Sequence, residues 1–192
     1  MTCKTICVYC SSSDAVHSSF FDVAAELGAA LGERGCTLVY GGADVGLMGA
    51  VARAVRAKGG KVVGVIPGSI KVLADKDANE MVVARDMRER KAIMEKRSDA
   101  FVALPGGFGT LEELLEIITL KQLGYHAKPM VLLNANDFFA PLNDLFEHLY
   151  RHTFAKPAFR DFYHFAPAVK GVFEYLDAYK PPHVLRKWFR PE

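Results

Sequence analysis

Glu113 lies one turn into a helix that follows Pro105-Gly106-Gly107-Phe108-Gly109-Thr110, and a carboxylate beside a glycine turn can do chemistry. The apolar run Phe101 to Leu104 reads as a buried strand, Pro105 stops it, the glycines make a tight turn, and a helix is expected to begin near Thr110. Backbone N–H groups lack acceptors at a helix start, the helix dipole adds partial positive charge there, and glycine lets an anion reach the main chain. The turn is therefore read as a phosphate cradle, with Glu113 as the carboxylate working beside it. The same residues admit a plainer reading, because Thr110 and Glu113 have the spacing of a capping box. The turn has no Gly-Lys-Ser/Thr of a Walker loop and is not a clean G-x-G-x-x-G.

Arg90 is the second chemical candidate. It belongs to the charged run Met87-Arg88-Glu89-Arg90-Lys91-Ala92-Ile93-Met94, which as a helix would ordinarily be a wet face. Arg90 is three residues after Met87 and four before Met94, so it shares their apolar side. A guanidinium facing a core needs an anion, since an unpaired buried charge is very costly. Glu113 or a bound phosphate would serve, and Lys91 adds a second phosphate contact. Cys7-Val-Tyr-Cys10 has redox spacing, but Cys7 falls inside an apolar run and is better read as a small buried hydrophobe. No second ligand pair has the spacing of a zinc site, and His148 and His152, four apart, read as a solvated helix face without a third ligand. No metal is expected.

The elements that must position these groups alternate. Strands are expected at Lys4–Cys10, Thr37–Tyr40, Lys61–Ile66, Glu80–Arg85, Phe101–Leu104, Pro129–Asn134 and Tyr163–Ala166. Helices are expected at Ser18–Glu33 (with Ser18 or Ser19 as N-cap and Gly35 as stop), Leu47–Lys58, Met87–Arg97, Thr110–Leu123, Phe138–His152 and Val169–Tyr179. Gly68–Asn79 reads as a loop with room for one helical turn. Short continuous apolar strands between helices mean a mostly parallel sheet of about seven strands, covered on both faces. Such sheets bind ligands beyond the carboxyl ends of their strands, which here carry Cys10-Ser11-Ser12-Ser13, Gly41-Gly42, Pro67-Gly68 and Pro105-Gly106-Gly107. Those turns should gather around a phosphorylated, nucleotide-like ligand.

Composition sets outer limits. The 192 residues suit one domain, expected over 1–180, with a Pro-rich basic tail at 181–192 containing Trp188. Half the residues are hydrophobic, at 51%, and the net charge of +2 argues against a nucleic-acid surface. No apolar run has the length of a membrane span, and the N-terminus lacks a signal peptide's layout, so the cytoplasm is the expected compartment.

Met87-x-x-Arg90-Lys91 with Pro105-Gly106-Gly107-x-Gly109-Thr110-x-x-Glu113 downstream resembles the signature of the Lonely guy family, often labelled "possible lysine decarboxylase". The resemblance extends through Cys7–Ser13, Tyr40-Gly41-Gly42, Gly46-Leu47-Met48-Gly49, Val65-Ile66-Pro67, Ser98–Phe101 and Thr119, and covers about Thr5 to Asn134. It implies a Rossmann-like homodimer that hydrolyses the N-glycosidic bond of an adenosine-type 5′-monophosphate, free or N6-substituted as in cytokinins, with neither metal nor organic cofactor. It implies Arg90 and Glu113 as the catalytic pair. It implies Lys91, Gly107, Phe108, Gly109, Thr110, Leu111, Glu112 and Thr119 as the lining of the nucleotide site. Ser12, Gly42, Met87 and Gly106 complete the expected binding set.

In one region the chain departs from the family pattern. Many members carry a binding glutamate some seven residues after Val-Ile-Pro, whereas this chain reads Gly68-Ser-Ile-Lys-Val-Leu-Ala-Asp75-Lys-Asp77 there, with Asp75 and Asp77 as candidate replacements.

Two rival functions compete with hydrolysis. One is a carrier resembling molybdenum-cofactor carrier proteins, which would gain nothing from a carboxylate beside the anion. The other is the decarboxylase of the label, which needs a lysine Schiff base with pyridoxal phosphate, and no lysine has a recognisable setting for one. The apolar residues of the Thr110–Leu123 helix (Leu111, Leu114, Leu115, Ile117, Ile118, Leu120) exceed what one stripe needs, as expected of a helix packed on two sides, by a dimer interface or by deep burial.

Overall fold

The computed structural model describes residues 4–182; the expected tail falls outside them from position 183. The chain runs β1 (Thr5–Tyr9), α1 (Ser18–Glu33), β2 (Thr37–Tyr40), α2 (Gly46–Ala57), β3 (Lys61–Pro67), β4 (Glu80–Ala84), α3 (Met87–Arg97), β5 (Ala100–Ala103), α4 (Phe108–Gln122), β6 (Met130–Leu133), α5 (Ala140–Arg151), β7 (His164–Ala166) and α6 (Val169–Ala178). Short 3-10 segments occupy Gly68–Leu73, Ala135–Asp137 and Pro157–Phe162. All seven strands share one sheet in the order β4-β3-β2-β1-β5-β6-β7. Every strand pairing is parallel, so the expected "mostly parallel" becomes wholly parallel.

Strand periodicity divides the core in two. Along β1, Ile6 and Val8 pack with α1, α2 and α6, while Cys7 and Tyr9 pack with α3, α4 and α5. This is the two-residue alternation of a pleated strand with both faces covered. The helices that carry Arg90 and Glu113 therefore lie side by side on one face. The order also puts β1 and β5 next to each other although their crossovers leave in opposite directions, which opens a crevice beyond their carboxyl ends.

Two local expectations are corrected, and the reading of Cys7 as a buried hydrophobe holds. The cap of α1 is His17, whose ring nitrogen accepts from the Ser19 backbone, not Ser18 or Ser19. Helix α4 starts two residues early, at Phe108, with Gly107 as its N-cap and no side-chain cap. Thr110 and Glu113 thus fall inside the helix and form no capping box. Cys7 and Cys10 lie on opposite sheet faces in separate core clusters, so the C-x-x-C spacing makes no dithiol. No group of three His, Cys, Asp or Glu able to hold a metal occurs among the described residues, and His148 and His152 lie on and just past α5 without one. Nor is any described helix long and apolar enough to cross a membrane.

Burial pushes the Cys7 thiol up to about 12 and raises that of Cys10 as well. Cys7 should therefore resist alkylation in the native protein while reacting fully once unfolded. Mild oxidation should leave no Cys7–Cys10 disulfide, as peptide mass mapping would read; a native bridge between them would contradict the strand assignment.

Candidate active site

Arg90 reaches in from α3 and Glu113 from α4, and they meet as a buried ion pair. Arg90 Nη1 donates to Glu113 Oε1 at 2.5 Å, and Arg90 Nε donates to the Val65 carbonyl at 3.0 Å. The residues are only 8% and 7% exposed. Room for the guanidinium comes from Gly41 at the end of β2, where a Cβ would sit 2.4 Å from Arg90 Nη2 and 2.6 Å from Met48 Sδ. Burial raises the Glu113 carboxyl above the ordinary carboxylate value, and the Arg90 charge and hydrogen bond pull the other way without cancelling it. The guanidinium thus braces the acid, but it does not hold it to a low pKa.

Helix starts around the crevice are not equivalent. The first amide of α2, at Gly46, donates to Asp14 at 2.8 Å, and the next, at Leu47, donates to the Ser11 carbonyl at 3.0 Å. At α3, Asp86 accepts from the Arg88 and Glu89 amides, both at 2.9 Å. At α4 the cap residue is Gly107, which has no side chain to offer. The amides of its first turn are the donors left for an outside anion. Thr110 packs back over Gly106, where a Cβ would lie 2.1 Å from Thr110 Oγ1, so the turn closes tightly.

A cavity of about 440 Å³ joins these features. Of the expected site residues, it is lined by Ser12, Met87, Arg90, Gly107, Phe108, Gly109, Thr110, Glu112 and Glu113. Phe108 stands at its mouth, 93% exposed. Five others are not on the wall. Lys91 is held by Glu112 and, at 2.9 Å, by Glu116, so it ties α3 to α4 instead of facing the anion turn. Gly42 packs against the backbone of Val65, and Gly106 lies behind the turn under Thr110. Leu111 packs toward the core on the α4 side. Thr119, six residues beyond Glu113, is exposed on α4 away from the cavity.

Neither candidate aspartate reaches the cavity wall. Asp75 is buried against Tyr40 and Arg56, and Asp77 is exposed; neither lines the cavity. That part of the wall is apolar, built by Ala43, Val45, Met48, Ile70 and Leu73. Sequence reasoning missed this wall. The available signal was Ile70, Val72 and Leu73, three apolar residues in a segment that otherwise reads as loop.

A family model described as "Possible lysine decarboxylase" matches residues 48–176. Two cytokinin riboside 5′-monophosphate phosphoribohydrolases of Arabidopsis thaliana are each 43% identical over 182 residues, covering 94% of this chain and 85% of theirs. The chain belongs to this family, in its Lonely guy branch. Among solved structures, a molybdenum cofactor binding protein from Rippkaea orientalis superposes with a TM-score of 0.74 at 21% identity, over 93% of this chain and 98% of that one. The molybdenum cofactor carrier protein of Chlamydomonas reinhardtii gives 0.71 at 23%, over 90% and 95%. At those identities the likeness is one of fold. The Lonely guy chain and the carriers share the Rossmann-like sheet and its crevice.

Because the ion pair is buried, removing one partner should cost far more than removing both. Arg90→Met alone should lose on the order of 3 kcal/mol, and Arg90→Met with Glu113→Leu should regain most of it, in urea denaturation. Simple additivity of the single losses would show that the two side chains do not act as a unit.

Proposed function

We propose that this Lonely guy protein hydrolyses the N-glycosidic bond of adenosine-type 5′-monophosphates, with or without an N6 substituent, releasing free base and ribose 5-phosphate. The observation that carries the reading is the buried Arg90–Glu113 pair opening on a cavity beside the one helix start there whose cap residue has no side chain. The names of the Arabidopsis relatives support the same reaction and a cytokinin nucleotide as substrate.

This reading lays the ligand along the sheet edge. The phosphate takes the first-turn amides of α4, at the end of β5. The apolar wall that includes Ile70 and Leu73 comes after β3, three strand positions away, or about 14 Å. That span suits a nucleoside monophosphate laid across the crevice, with its sugar over the ion pair. Cleavage passes through an oxocarbenium-like state. The Glu113 carboxylate stabilises that charge and orients a water, taking a proton as the water's oxygen bonds to the anomeric carbon. The base leaves with the bonding electron pair and takes a proton from solvent, to which Glu113 returns the one it accepted. Phosphate binding far from the reacting carbon holds the sugar in place for this step.

A pure carrier has no use for a carboxylate beneath the sugar. A decarboxylase would need a lysine in the cavity, and no lysine lines it among the described residues. The reading includes a homodimer formed through α4, supported by exposed Leu115 and Leu123 and by Tyr125 just beyond them. It also includes a single hydrolase domain over 1–180, a cytoplasmic setting, and no nucleic-acid or membrane partner.

Incubation with AMP should release adenine and ribose 5-phosphate, read by chromatography, and Glu113→Gln should lower kcat by at least about a hundredfold while the fold survives. A variant that releases adenine at the parental rate would remove Glu113 from the chemistry. The acid must be ionised to act, and burial raises its pKa. As pH falls, kcat should therefore drop with a midpoint above 4.5, the ordinary carboxyl value, and Glu113→Gln should abolish that limb.

A further inference from the structure

The segment that supplies Ile70 and Leu73 to the cavity has no core of its own. None of the residues from Gly68 to Leu73 is buried, and Ile70 and Leu73 are 42% and 46% exposed. Its register is fixed just downstream. The Asp44 amide donates to the Leu73 carbonyl at 3.2 Å, and the Asp75 amide donates to the Gly42 carbonyl at 2.8 Å, flanking an isolated antiparallel bridge between Ala43 and Ala74. At the end of this short seam the Asp75 side chain, only 1% exposed, is held from three sides. Tyr40 Oη donates to Oδ2 at 2.8 Å, Arg56 Nη1 donates to the same oxygen at 2.6 Å, and the Asp77 amide donates to Oδ1 at 3.0 Å. Tyr40 ends β2 and Arg56 sits in the last turn of α2, so both partners belong to rigid elements.

We infer that Asp75 is a positioning residue: clamped by Tyr40 and Arg56, it fixes the strap 68–74 and thereby sets the apolar wall against which the substrate's base rests. The inference rests on the nucleotide reading above. Asp75 touches no part of the cavity itself, and the strap is tied to the body by these contacts and two backbone hydrogen bonds. Burial alone would lift the Asp75 carboxyl, but the hydrogen bonds from Arg56, Tyr40 and the Asp77 amide outweigh it and hold it below the ordinary value, as a permanently ionised anchor requires. With Ile70 and Leu73 on the cavity wall, the base side relies on apolar contact from a strap whose position is imposed from behind. Ile70 and Leu73 are then specificity-determining, and Asp75 acts through them.

The phosphate turn lies at the other end of the crevice, which makes the role separable from general stability. In a Glu113→Gln background, where bound nucleotide persists, Asp75→Asn should weaken AMP binding about tenfold by calorimetry while ribose 5-phosphate binds within about twofold of the parent. Amide exchange over 68–74 should accelerate in the same protein. Equal loss for both ligands, or no loss for AMP, would overturn the inference. Should Asp75→Asn fail to fold, Tyr40→Phe removes one of the three clamps and Leu73→Ala trims the half-exposed wall. Each should show the same selective loss, and its absence in both would be equally fatal. A parent protein that binds AMP but never releases adenine would instead defeat the hydrolase reading and leave the anchor standing.

Discussion

A guanidinium and a carboxylate leave water only at a large cost in hydration, and the arrangement of this molecule reflects how that cost is offset at Arg90 and Glu113. The pair compensates for its desolvation only where each charge finds its partner at hydrogen-bonding distance and the remaining donors are satisfied. Val65 supplies a carbonyl to Nε, and a strand end without a side chain at Gly41 admits the guanidinium plane. Two helices on the same sheet face bring the charges in from opposite sides. One edge of the pair is left open to a cavity. Burial then does a second thing, raising the affinity of Glu113 for a proton.

Along the same edge the helix N-termini differ in how their amides are used. Each start is a site of unsatisfied N–H groups and partial positive charge. Asp14 takes the Gly46 amide at α2, Asp86 occupies α3, and α4 starts from a glycine with no side chain to contribute. The contrast between these helix starts thus comes as much from the acids that occupy two of them as from the glycine that begins the third. Lys91 belongs to the same distribution of charge. Held by Glu112 and Glu116, it joins α3 to α4 beside the Arg90–Glu113 pair, so two parallel sets of ion pairs fasten the helices across the site.

The fold is shared with proteins that carry a cofactor, while the sequence relatives are hydrolases. A parallel sheet with a crevice at its switch point commits a chain to binding something there and says little about whether the ligand is kept or cleaved. Side chains make that choice: here a buried acid, a guanidinium bracing it, and an apolar wall line the crevice.

Most of the scaffold was legible in the linear sequence because its cause is local. Strand and helix periodicities, the proline that ends the strand before Gly106, and the placing of Arg90 between Met87 and Met94 depend on residues a few positions apart. The small-residue turns at the strand ends are likewise local features; three of the four, at Cys10–Ser13, Gly41 and Gly107, line the cavity, and Pro67-Gly68 does not. Partner choice was legible only as alternatives, since it depends on distances between segments far apart in the chain: Glu113 and a bound phosphate were both candidate anions for Arg90, and the fold pairs it with Glu113. Thr110 and Glu113 had the spacing of a capping box, and only the start of α4 at Gly107, with Arg90 arriving from 23 residues away, assigned the carboxylate elsewhere. Lys91 and Asp75 were charges in plausible places for a ligand, and three-dimensional neighbours claimed both. The order of residues dictated which groups could meet at the sheet edge. Folding selected which of them face the cavity, because each buried charge settles on the nearest group able to replace its lost water.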